Sequence, residues 1–131
     1  MPMTIKTSVK DTLDRGSGLF TVEEVKKGDI VFRDDPTIDR IFSAKQVAVM
    51  SEAMKEFVHF YASYDKKKDE YYLDVDNTKF LNHSNTPNIT YIEETGVMVA
   101  TRDIEAGEEL TSDYREYDDP SKEGHFGFEV K

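Results

Sequence analysis

A chain of 131 residues has room for one buried core and is short for two, and its 8 Phe and 7 Tyr set it apart from disordered sequences. Its 27 acidic against 17 basic side chains leave a formal net charge of -10, which repels phosphate backbones and argues against direct nucleic-acid binding. With no cysteine, disulfides and thiolate zinc sites are excluded; no stretch approaches the roughly 20 apolar residues of a membrane span, so a soluble, cytoplasmic protein is expected.

In chain order, Thr4 to Val9 alternates weakly with β-favouring residues, and Asp14-Arg15-Gly16-Ser17-Gly18 supplies turn chemistry before Leu19-Phe20, which predicts a hairpin with a glycine-rich bend. Lys27-Gly28-Asp29 turns the chain into a second short strand at Ile30-Val31-Phe32, bounded by Asp34-Asp35-Pro36. The period then changes. Val47, Met50, Met54, Phe57, Val58 and Tyr61 recur at helical spacing and are expected to face the core. Ser43 with Gln46 forms a capping-box pattern and Ser51 before Glu52 a second start, predicting two short helices or one bent helix over about 43–62.

Asp65 to Asp69, with three lysines, reads as a solvated loop. Strand character returns at Tyr71 to Val75, Ile89 to Ile92, Val97 to Ala100 and Glu109 to Ser112. The tail from Tyr117 to Lys131 is polar and irregular, yet carries Phe126 and Phe128, aromatics that usually dock somewhere. The fold class is mainly β with one helical insert, and no linker composition divides the chain, so a single domain over 1–131 is expected.

Three segments carry chemistry. Gly16-Ser17-Gly18 alone serves either a turn that needs positive φ or a backbone left bare for a ligand. Asn82-His83-Ser84 followed by Pro87-Asn88 places polar side chains between Phe80-Leu81 and a β segment; a lone histidine is no metal site, and in isolation the group is equally a hydrogen-bonded structural knot. Arg102 to Tyr114 is a turn, a strand and a terminal tyrosine, on its own more often packing than chemistry.

Taken in order, GSGLF, KFLNHSNTPN and ATRDIEAGEELTSDY resemble the three sequence signatures of the SET domain protein lysine methyltransferases, over Ser8 to about Tyr117. The length and ending are similar to those of the small stand-alone SET proteins of bacteria and viruses. The resemblance implies a β-clip of short strands in small sheets with a C-terminal pseudoknot, and S-adenosylmethionine as cofactor, leaving as S-adenosylhomocysteine. It assigns cofactor contacts to Gly16, Ser17, Gly18, Leu19, Phe20, Asn82 and His83, and the catalytic tyrosine position to Tyr114. Tyr72, Tyr91, Ser112, Tyr117, Phe126 and Phe128 are expected around the substrate channel. Asn85 stands where many nuclear members carry cysteine, and no metal is expected.

The implied partner is a lysine-bearing basic protein or peptide, histone-like in character, steered by negative potential. Lysine has a reference pKa near 10.4, and a positive sulfur beside an apolar channel lowers it, so the neutral amine forms without a dedicated base. Ser112, two residues before Tyr114, is expected to leave room for di- or trimethylation. The alternative is a SET-like module that binds a partner without transferring methyl.

Overall fold

The computed structural model describes residues 2–119. Along the chain run β1 (Thr7–Asp11), β2 (Ser17–Thr21), β3 (Ile30–Arg33), β4 (Arg40–Ser43), α1 (Ala44–Ala48), α2 (Glu52–Tyr61), β5 (Ser63–Asp65), β6 (Glu70–Leu73), β7 (Asn82–His83), β8 (Ile89–Ile92), β9 (Val97–Ala100) and β10 (Glu109–Ser112). They form three small sheets, ordered β1-β2-β10-β7, β3-β9-β8 and β4-β6-β5. Mostly short strands with few helices, this is the mainly β architecture anticipated above.

The first sheet positions the site. β1 and β2 form the predicted antiparallel hairpin, Thr7 opposite Thr21 and Asp11 opposite Ser17. β10 lies between β2 and β7, antiparallel to the first and parallel to the second, with Thr111 opposite Asn82 and Ser112 opposite His83. This insertion carries Tyr114 to the Asn82-His83 segment. Asn88, 2% exposed, clamps the inserted strand: its Nδ2 donates to the Glu109 carbonyl at 2.8 Å and its Oδ1 accepts from the Thr111 N–H at 2.9 Å. The asparagine side chain thus supplies both bonds that a neighbouring peptide unit would give.

Leu19, Val25, Val31, Phe32, Leu81, Ile89, Met98, Ala100, Ile104 and Leu110 make one buried cluster between the first two sheets. A second cluster, Val47, Val58, Ala62, Tyr71 and Leu73, holds the helical insert on the β4-β6-β5 sheet. The insert resolves into two helices. Ser43 and Gln46 close the capping box, with Gln46 N–H on Ser43 Oγ at 3.1 Å and Ser43 N–H on Gln46 Oε1 at 2.8 Å, and Ser51 caps α2 through Met54 N–H at 3.2 Å.

Two local expectations need amending. Arg40–Ser43 and Ser63–Asp65 are strands that flank the insert and pair with β6, although their mixed polar and apolar residues show no clear alternation. The helical stripe is core only in part: Val47 and Val58 are buried at 3% and 0% exposure, whereas Met54 and Phe57 remain 44% and 36% exposed. A three-stranded sheet of three- and four-residue strands is narrower than the apolar arc of α2 and covers one side of it. Phe126 and Phe128 lie outside the described residues.

Candidate active site

The bend between β1 and β2 is built from local polar caps. Asp11 Oδ1 accepts from Leu13 N–H at 3.0 Å, Thr12 Oγ1 from Arg15 N–H at 2.8 Å, and Gly16 takes φ 71°, the left-handed region that favours glycine. A Cβ at Gly16 would meet nothing within 4 Å, so this backbone stands open. Gly18 is the reverse case: a Cβ there would lie 2.5 Å from Thr12 Cγ2, 2.7 Å from Glu109 Oε2 and 3.1 Å from Asn82 Nδ2. Gly18 is glycine because other side chains already fill the space beside it.

One of those side chains is Asn82. Its amide Nδ2 donates to the Ser17 carbonyl and to Glu109 Oε2, both at 3.0 Å. Both partners can only accept, so the nitrogen must face them and the amide oxygen is directed the other way. Glu109 also pairs with the Arg15 guanidinium. The glycine bend, the Asn82 strand and β10 are thereby joined through polar side chains.

His83 continues the connection. Its Nδ1 accepts the Tyr114 N–H at 3.1 Å, which leaves Nε2 to carry the proton of the neutral ring and donate to Asn85 Oδ1 at 3.0 Å. Tyr114 opens a short helical turn capped by Asp113, whose Oδ1 accepts the Arg115 N–H at 3.0 Å. The Arg115 guanidinium grips the same carboxylate at 2.8 and 2.7 Å and holds its pKa below the usual aspartate value. The turn rotates the Tyr114 ring over His83, centroids 5.4 Å apart, and its hydroxyl donates to the Leu81 carbonyl. Burial, reinforced by the negative charge of Asp118, pushes the Tyr114 pKa well up, so it is a neutral phenol at pH 7.

Two more aromatic rings line up beside it: Tyr117 lies 6.1 Å from both Tyr114 and Tyr91. The Tyr117 hydroxyl meets Ser112 Oγ at 2.7 Å, and Ser112 is fully buried. Tyr91 donates to Asp34 Oδ2 at 2.8 Å, and Tyr72, on β6, to Asp39 Oδ2 at 2.7 Å. Burial raises the pKa of all three tyrosines, with carboxylates adding for Tyr72 and Tyr91, so each stays protonated. Gly16, Ser17, Tyr72, Asn82, His83, Tyr91, Tyr114 and Tyr117 all line one cleft of about 1220 Å³.

Of the residues singled out from sequence, Gly16, Ser17, Asn82, His83 and Tyr114 therefore converge. Leu19 is wholly buried in the core with its backbone between Val9 and Leu110, and the Phe20 ring lies under Lys10 Nζ at 5.5 Å. Four contributors escaped the sequence reading. Arg15 looks like a solvated charge in a turn, Glu109 like one at the start of a strand, and Asp34 and Asp39 like turn formers; only their partners distant in sequence give them a role. Among the described residues no cluster of His, Asp or Glu is arranged to hold a metal ion.

A glycine bend, an Asn-His strand and a tyrosine turn gathered by one inserted strand define the SET-type fold. The SET domain family model matches residues 16–115, and the chain belongs to that family. A Plasmodium falciparum protein described as a candidate histone methyltransferase superposes with a TM-score of 0.59 at 18% identity, covering 86% of this chain and 95% of that one. The Neurospora SET domain protein DIM-5, a histone lysine methyltransferase, superposes with a TM-score of 0.57 at 24% identity over 86% of this chain and 53% of its own. This chain thus spans about half the length of the Neurospora protein, and both similarities speak to the fold. A search of curated proteins returns no match.

Proposed function

We propose that this protein transfers methyl groups from S-adenosylmethionine to the side-chain amine of lysine in a basic, histone-like protein. The observation that carries the reading is the Tyr114 hydroxyl, held on the Leu81 carbonyl one residue before Asn82-His83. The residues present fit the cofactor. The open backbone at Gly16 and the outward-turned Asn82 oxygen suit a ligand with an amino-acid end, and both line the cleft that Tyr114 lines. When bound, S-adenosylmethionine supplies an electrophilic methyl on a positively charged sulfur.

The protein's part is geometric. Tyr114 keeps its proton, its O–H donating to the Leu81 carbonyl, so it cannot act as a phenolate base; its role is to orient an amine N–H and a polarised methyl C–H at its oxygen. Tyr91 and Tyr117 supply aromatic walls that strip water from an entering lysine, and this desolvation disfavours its ammonium form, so the amine sheds its proton. Water takes that proton. Tyr117 stands against Ser112, so the space that serine would leave is shared with a hydroxyl rather than empty.

A lysine among other basic residues suits a chain of net charge -10 whose cleft carries Asp34, Asp74 and Asp118. Labelled S-adenosylmethionine incubated with the protein and a panel of basic proteins tests the reading. Label recovered in lysine by mass spectrometry is expected; cofactor binding without label transfer would leave a binding module instead.

A further inference from the structure

Glu109 occupies an unusual place for a carboxylate. It lies on β10, its side chain is only 14% exposed, and it contacts two other parts of the site: Oε2 accepts the Asn82 amide at 3.0 Å and Oε1 pairs with Arg15. Its Oε2 would lie 2.7 Å from a Cβ at position 18, so the bend approaches this carboxylate closely. A solvated surface glutamate needs none of these arrangements.

The chemistry of Asn82 gives the carboxylate a task. An asparagine amide can rotate by a half turn about its last bond at little cost, exchanging an acceptor for a donor on each face. Ser17 O and Glu109 Oε2 both demand the nitrogen, and the glutamate does so with a full charge, which strengthens the bond. The amide oxygen is thereby committed to the opposite face.

We infer that Glu109 is a positioning residue that locks Asn82 with its amide oxygen presented to the cofactor's ammonium group. This rests on the proposed use of S-adenosylmethionine and adds the residue that sets the polarity of that contact. Without Glu109 the amide is held by Ser17 alone and samples the rotated state, in which its NH2 opposes a positive ligand group. The Arg15 arm contributes less, because that guanidinium is 41% exposed and solvent screens the pair. Glu109 touches no reacting atom, so its loss weakens cofactor binding and leaves turnover at saturating cofactor near the wild-type rate.

Three variants test this by calorimetry with S-adenosylhomocysteine and by steady-state kinetics. Glu109→Met fills the same space without an acceptor and is expected to weaken binding about tenfold, with a matching rise in KM for S-adenosylmethionine and little change in kcat. Glu109→Gln retains an acceptor for Asn82 and is expected to stay within about threefold, as is Arg15→Ala. Equal affinity in Glu109→Met and wild type overturns the inference, as does a Glu109→Gln variant weakened as much as Glu109→Met. Should Glu109→Met fail to fold, solvent exchange of the Asn82 side-chain NH2 in wild-type protein decides: protection of both its protons is expected, and exchange as fast as in a free amide overturns the inference. Wild-type protein that binds no S-adenosylhomocysteine would sink the cofactor reading itself, whereas intact wild-type binding with an indifferent Glu109→Met sinks only the role of Glu109.

Discussion

The Ser112 and Tyr117 hydroxyls lie 2.7 Å apart, with Ser112 fully buried and the Tyr117 ring between those of Tyr91 and Tyr114. A small residue before the site tyrosine is thus complemented by a large one after it. On the proposed lysine methylation, the Tyr117 oxygen would limit how many methyl groups an aligned amine can carry. Tyr117→Phe deletes that oxygen, keeps the ring and opens space beside Ser112. The variant is expected to shift products towards higher methylation states, read by mass spectrometry of one lysine peptide at matched turnover. An unchanged distribution would remove Tyr117 from the channel.

Gly18→Ala tests how closely the bend is packed. The new methyl would sit 2.5 Å from Thr12 Cγ2 and 2.7 Å from Glu109 Oε2, so the Thr12 and Glu109 side chains must give way. Overpacking of this kind costs about 1–3 kcal/mol. Thermal unfolding is expected several degrees below wild type, together with weakened cofactor binding.

Asn88→Ala tests the clamp on β10. It removes two hydrogen bonds and leaves the nearly buried Thr111 N–H without its side-chain acceptor, a loss of about 2–4 kcal/mol. Denaturant titration should show it. A change below half a kcal/mol would mean that β10 is held by its strand partners alone.

Stability should also respond to Asp74, whose pKa is pushed up to about 6 by burial. A carboxyl with a folded pKa above its unfolded value near 3.9 binds its proton more tightly in the native state. Its contribution is therefore fully present below pH 4 and is lost as pH rises through about 6. Asp74→Asn removes this titration, so the wild-type melting temperature should fall relative to the variant between pH 4 and 6. Parallel profiles would contradict it.

Much of this was legible in the sequence because it is local. The strands at Ile89–Ile92 and Val97–Ala100 follow from runs rich in β-branched residues, that at Glu109–Ser112 from its place after the Ala106-Gly107 turn, and the Ser43-Gln46 capping box from two residues three apart. The convergence of Gly16, Asn82 and Tyr114 was visible only through family resemblance, since no local rule joins segments so far apart. Glu109 and Arg15 stayed hidden for the same reason: their chemistry lies in an ion pair across 94 positions. β5 was missed because three residues paired to β6 carry too short a pattern to read.

Tyr114→Phe tests the central claim most directly. Removing the hydroxyl abolishes its bond to Leu81 and the alignment it gives, while the backbone contact to His83 and the glycine bend remain. Methyl transfer to lysine is expected to fall by about a hundredfold or more, with S-adenosylhomocysteine affinity within about threefold of wild type. Full transfer activity in the variant, or a loss of transfer explained entirely by lost cofactor binding, would contradict the account.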